Sequence, residues 1–170
     1  MFYCDESLKE LEKVFAWDEV LLYLENLFND SPQVNILNYL IGFAWYATVE
    51  GPFYKSGFGI EESDISISFW KKYIDIGEKK YKENPYYNFI SGYTLAMDGF
   101  FISEYYEQKG LFFIKKCIET SKDLPIKKLA ENFLLNMGKK HVPLVDGKRI
   151  CDKLFDKETL LGEYFISIFS

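Results

Sequence analysis

Only one histidine, His141, occurs in the 170-residue chain, and it follows Lys139 and Lys140 in a predicted loop. A catalytic imidazole needs a nucleophile or a second acid–base group held beside it. No Ser or Cys in a recognisable local motif accompanies His141, so it is expected to be a solvated and dispensable loop residue. With a single histidine, metal binding by several imidazoles is excluded, and no run of Asp and Glu has calcium-loop spacing. The segment Gly57-Phe58-Gly59-Ile60-Glu61-Glu62 has two of the glycines of a phosphate loop. It lacks the third glycine, the lysine and the preceding strand, and its acids would repel phosphate. Asp98 and Glu104 can be written as a carboxylate pair for glycoside hydrolysis, but a chain with 26 acids produces such pairs by chance. Cys4, Cys117 and Cys151 are odd in number and form no CxxC pair, which fits reduced thiols and neither a disulfide framework nor a zinc site. The chain is therefore expected to be no enzyme and to carry no cofactor and no metal.

Charge is distributed unevenly. Up to Ile65 there are 12 acids against Lys9, Lys13 and Lys55, a net of −9; the remaining 14 acids and 17 bases give +3, and the two sum to −6. Phosphate-rich ligands need clustered Lys and Arg, so the acidic part disfavours nucleic acid and anionic membrane and favours a basic protein partner. Lys71-Lys72 and Lys79-Lys80-Lys82 fall on one predicted helix and read as a mixed-charge solvated face. The longest apolar run, Tyr39 to Val49, is too short to cross a bilayer. Met1 to Ser7 lacks the basic-then-apolar order of a signal peptide, so a cytoplasmic location is expected.

The elements that must position these residues read as helix after helix. With 48% hydrophobic and 27% charged residues, the chain is expected to form one folded helical domain over 1–170. Ser7 and Glu10 have capping-box spacing before Leu8, Leu11, Val14 and Phe15. Asp18 is expected to open a second helix, and Ser31-Pro32 a third that stops at Gly51-Pro52. The stretch from Pro52 to Ser63 then reads as a long loop. A fourth helix starts near Asp64, and Asn84-Pro85 starts a fifth that either turns at Asp98-Gly99 or runs on to Tyr106. Gly110 is expected to separate that helix from one over Leu111 to Ser121. Asp123-Leu124-Pro125 begins another, ending at Gly138, and two shorter amphipathic pieces follow, the last capped by Asp156. The predicted class is all-α, with about eight or nine helices.

A faint repeat runs through the chain. Asn38-Tyr39-Leu40-Ile41-Gly42-Phe43 matches Asn88-Phe89-Ile90-Ser91-Gly92-Tyr93 at an offset of 50 residues. A helical glycine costs about 1 kcal/mol against alanine, so close approach of another helix is the expected compensation at Gly42 and Gly92. With a second amphipathic helix after each copy, the arrangement resembles the helix-turn-helix units of tetratricopeptide-like solenoids, whose first helix also carries a buried glycine. The family's regular period of about 34 residues is missing, so the expected fold is an irregular stack of antiparallel helical hairpins.

Aromatics make up 19% of the residues and several are adjacent, as in Trp45-Tyr46, Phe100-Phe101, Tyr105-Tyr106 and Phe112-Phe113. Helical neighbours point about 100° apart, so both members of a pair seldom enter one core stripe, and some are expected to be exposed or to fill a second interface. In this overall character, acidic, aromatic and without an active-site set, the chain resembles the immunity proteins of bacterial contact-dependent growth inhibition and related polymorphic toxin systems. The resemblance implies a one-to-one heterodimer with a cognate toxin domain, commonly a basic nuclease, whose active site or substrate groove it covers. The alternative is a tetratricopeptide-like adaptor that holds a peptide or protein in a concave face. The expected partner-binding residues are Tyr46, Glu50, Phe53, Tyr54, Phe58, Glu61, Glu62, Asp64, Asp98 and Glu104, apolar anchors inside an acidic rim.

Overall fold

The computed structural model describes the backbone of residues 2–54, 60–137 and 142–170, and the side chains of all of these except 50–54 and 60–65. Nine α-helices and no strand occur among the described residues. They are α1 (Glu6–Lys13), α2 (Trp17–Asp30), α3 (Val34–Tyr54), α4 (Ile60–Tyr81), α5 (Pro85–Asp98), α6 (Glu104–Thr120), α7 (Leu124–Asn136), α8 (Gly147–Leu154) and α9 (Leu160–Phe169). A 3₁₀ turn, Gly99–Phe101, joins α5 to α6.

The architecture is a stack of helical hairpins built around two central helices. In α3 every residue from Ile36 to Thr48 is buried, and in α5 every residue from Tyr87 to Leu95. A helix that is apolar all round is stable only when surrounded, and these two helices carry the Asn-to-Gly repeat. α3 pairs with α4, α5 pairs with α6, and α3 and α5 pack on each other. A Cβ on Gly42 would lie 2.8 Å from Leu161 Cδ1 and 3.3 Å from Ile90 Cδ1, both side-chain tips. One on Gly92 would lie 2.7 Å from Ile114 Cγ1 and 2.8 Å from the Ile114 backbone nitrogen. Each repeat glycine thus admits a neighbour, but only Gly92 brings two backbones together.

The last helix returns to the middle of the stack. α9 lays Phe165 and Phe169 against Phe89 and Tyr93 of α5, with ring centroids 5.0–6.2 Å apart, and Tyr164 against Trp45 of α3 at 5.2 Å. It thereby covers a face of α3 and α5 that their partners α4 and α6 leave over. The beginning of the chain is fastened to the same region. Phe2 stacks on Phe155 at 4.5 Å, and its amide donates to the Leu154 carbonyl. Lys9 bridges Glu158 at 2.8 Å and Asp156 at 3.1 Å. Glu12, 3% exposed, accepts from the Tyr39 hydroxyl and from the Leu160 amide. Burial raises the Glu12 carboxyl above its ordinary value despite those two hydrogen bonds.

Several boundaries differ from the sequence reading. α1 is capped by Asp5, which accepts from the Leu8 amide at 2.8 Å, and not by Ser7. α2 starts at Trp17, one residue before Asp18. Ser31 closes α2 instead of opening α3, and the Pro32 carbonyl is held by the Tyr81 hydroxyl at 2.8 Å, so α3 begins at Val34. α3 continues through Gly51 and Pro52 to Tyr54, because proline's φ is helical and near a helix end it removes only one donor. α4 begins at Ile60, which shortens the expected Pro52–Ser63 loop. α6 passes straight through Gly110. Thr159, not Asp156, caps α9, accepting from the Gly162 amide at 3.1 Å. Asn84-Pro85 starts α5 as expected, the Asn84 side chain accepting from the amides of Tyr86 and Tyr87.

Candidate partner-binding site

Two tryptophans set the register at one end of the molecule. Trp45 of α3 donates its indole N–H to Asp98 at 2.9 Å, and Trp70 of α4 donates to the Thr94 hydroxyl at 3.3 Å. The α5–α6 turn is therefore level with the middle of α3, and the last turns of α3 and first turns of α4 run on toward the same end. Asp98 is half-buried under this contact. Burial raises its carboxyl above the ordinary value, and the Trp45 hydrogen bond opposes the rise only in part. Its first role is to anchor the turn to α3. Glu104, in the first turn of α6, is exposed and accepts from the Gln108 side chain at 3.2 Å.

Tyr46 does not belong to this surface. It is 8% exposed, with its ring 5.7 Å from Trp17 and 5.9 Å from Tyr164, inside the packing of α9 on α3. Its apolar neighbours on three helices absorb it into the core. Phe58 lies outside the described residues, as does His141. The side chains of Glu50, Phe53, Tyr54, Glu61, Glu62 and Asp64 also lie outside the described set, so of the expected interface the structure places Tyr46, Asp98 and Glu104, and only the last two share a surface.

The same turn displays residues that the sequence reading did not choose. Phe100 and Phe101 are 54% and 46% exposed and stack on each other, with centroids 4.4 Å apart. Met97 is 46% and Tyr105 64% exposed on either side of them. The other adjacent pairs resolve differently. Trp45 and Tyr46 are both buried, whereas Tyr106 and Phe113 are buried with Tyr105 and Phe112 turned outward. Phe100 and Phe101 alone are both out, because a 3₁₀ turn at the end of a hairpin has no neighbouring helix to receive either ring. The signal in the sequence was the pairing itself, set in a stretch from Glu83 to Gln108 that contains no Lys or Arg. Asp98, Glu104 and Glu107 are its charges near the turn.

Lysines of α4 and α6 are tied into ion pairs on another side of the stack. Lys71 meets Asp75 at 3.1 Å, Lys72 meets Glu25 at 2.7 Å, Lys116 meets Glu83 at 2.9 Å and Lys109 meets Glu78. Among the described residues no group of three or more His, Cys, Asp or Glu side chains is placed to hold a metal ion. Among them, too, no helix is long and apolar enough to cross a membrane. Burial pushes the thiols of Cys117 and Cys151 up to about 12, leaving them protonated and inert at neutral pH. No family model, no curated protein and no solved structure matches this chain.

Proposed function

We propose that this protein is an immunity protein, binding a basic toxin domain one-to-one and blocking it by occlusion. The observation that carries the reading is the α5–α6 turn. It shows a stacked, solvent-facing Phe100–Phe101 pair, flanked by Met97 and Tyr105, in a segment with acids and no bases. Aromatic anchors in an acidic surround suit a partner whose working surface is built from Lys and Arg, as a nuclease's must be. The acidic part of the chain up to Ile65 adds long-range attraction that speeds encounter. Such a protein would act in the cytoplasm and needs no chemistry of its own.

An adaptor holding an extended peptide is the weaker reading, for a structural reason. In this fold the groove along α3 and α5 is filled by α9, with Phe165 and Phe169 packed on Phe89 and Tyr93. The test uses the C-terminal domain encoded by the gene directly upstream. Expressed alone that domain should arrest growth, and this chain should restore growth and co-elute with it at equal stoichiometry. Arrest that persists with this chain present, or an upstream product with no toxicity, would remove the basis for the proposal.

A further inference from the structure

A groove of about 310 Å³ runs between the C-terminal parts of α5, α7 and α9, and Met97, Phe133, Met137 and Phe169 form much of its wall. That volume sits at the small end of ligand pockets, enough for one large side chain. Its polar neighbours are turned to each other. Asn136 donates to Asn132 at 3.0 Å, both amides donate to the Val142 carbonyl, and the Val142 amide donates back to Asn136. The hydroxyls of Tyr93 and Tyr164 pair at 2.8 Å. A site for a polar ligand would aim unspent donors and acceptors inward. Here the hydrogen-bonding groups serve the protein, and carbon faces the cavity.

Met97 joins the groove to the exposed turn. It lines the cavity, is 46% exposed, and stands immediately before Asp98 and three residues before Phe100. The charges nearest to it in the turn are Asp98 and Glu104, with no lysine or arginine in the segment. An apolar slot that opens onto an acidic, aromatic turn matches an apolar side chain with basic neighbours. We infer that this groove receives one large apolar side chain, flanked by lysine or arginine, from the protein partner that docks on the α5–α6 turn. The inference rests on the binding-protein reading above and adds what the partner must present. Burying such a side chain in a desolvated pocket is the usual energetic centre of an interface, with the open Phe100–Phe101 stack serving as surround.

The three methionines make the test direct, since Met97 and Met137 line the groove and Met1 does not. The full chain, labelled with ¹³C at the methionine methyls, is titrated with two blocked tripeptides, one with tryptophan between two lysines and one with tryptophan between two glutamates. The lysine-flanked peptide should shift the Met97 and Met137 methyls saturably and leave Met1, next in the chain to Phe2 against α8, unmoved. At low salt it should bind about tenfold tighter than the glutamate-flanked one, and the gap should close at high salt. Met97→Lys, at an exposed position, should keep the melting temperature and invert that preference. Groove methyls that fail to move with either peptide would overturn the site, and equal affinity for both peptides would overturn the stated partner chemistry. Neither result depends on the upstream toxin, so failure here and failure of growth rescue are separate outcomes.

Discussion

Replacing Gly110 by alanine separates the two things a helical glycine does. The substitution gains helix propensity, about 1 kcal/mol, and it adds a methyl group at the α5–α6 interface. That Cβ would lie 2.3 Å from the Ala96 nitrogen, 2.7 Å from the Leu95 carbonyl carbon and 2.8 Å from Ala96 Cα. All three are backbone atoms, so no rotamer change relieves the overlap. Ordinary carbon contacts are about 3.5–4.0 Å, and restoring them requires α6 to back off by about 1 Å. A gap of that size forfeits a quarter to a half of each dispersion well across the interface, on the tightest helix pair in the molecule. Overpacking of this kind costs about 1–3 kcal/mol and at times more. Taking the upper part of that range and subtracting the propensity gain leaves a loss of about 2 kcal/mol, or about 4–8 °C in Tm for a chain of this length. Gly42→Ala is the matched control, because its Cβ meets only the movable tips of Leu161 and Ile90. It should be close to neutral. Thermal melts followed by circular dichroism give both values, and a Gly110→Ala variant as stable as the parent would refute the claim that this glycine is held by backbone contact.

Adjacent aromatics give a second comparison: Phe113→Ala, in the core, should cost about 3–5 kcal/mol in urea titrations, while Phe100→Ala stays within about 0.5 kcal/mol. Equal losses would mean that the turn packs against something in solution. At Asp5, burial works to raise the carboxyl, but the hydroxyls of Tyr23 and Tyr3, each at 2.5 Å, and the Leu8 amide outweigh it and hold the value below the ordinary 3.8. A depressed folded value stabilises above the unfolded one and fades as pH falls through the folded one. Asp5→Asn, which keeps a capping oxygen, should therefore be less stable than the parent at neutral pH, with the gap narrowing only below about pH 4; a gap independent of pH would contradict the assignment. Reversing Glu61, Glu62 and Asp64 to lysine should slow association with a basic toxin domain and flatten its salt dependence with little change in Tm. Unchanged association kinetics would move the steering charge to the acids up to Asp30.

Helices were legible wherever the signal was local. Asn84-Pro85 carries cap and first residue within two positions, and the all-round apolar character of α3 and α5 is written into Ile36–Thr48 and Tyr87–Leu95. Gly110 was misread because glycine interrupts a helix as seen along the chain, whereas the need for a Cβ-free site comes from Leu95 and Ala96, on the other helix of the pair. Ser31-Pro32 failed for a similar reason: the dipeptide is a good helix start, but the Tyr81 hydroxyl, nearly 50 residues on, holds the Pro32 carbonyl. The site was half legible. Asp98 and Glu104 share the exposed turn, yet Tyr46 looked like an interface aromatic until α9 came back over α3. Which member of an adjacent pair is exposed depends on which neighbouring helix is present, and sequence spacing does not say.

The fastening of α1 to the α8–α9 connection changes how the molecule should come apart. Open arrays of helical hairpins behave as one-dimensional chains, in which outer units fray first and cooperativity fades with distance. Here Lys9, Glu12 and Phe2 join the first helix to the segment leading into the last, and α9 in turn is seated on α3 and α5. The stack becomes a closed circuit, and opening any one link exposes the aromatic interior that the others share. Amide exchange in α1 and α9 should then follow the global unfolding of the chain instead of running ahead of it, as it does at frayed ends.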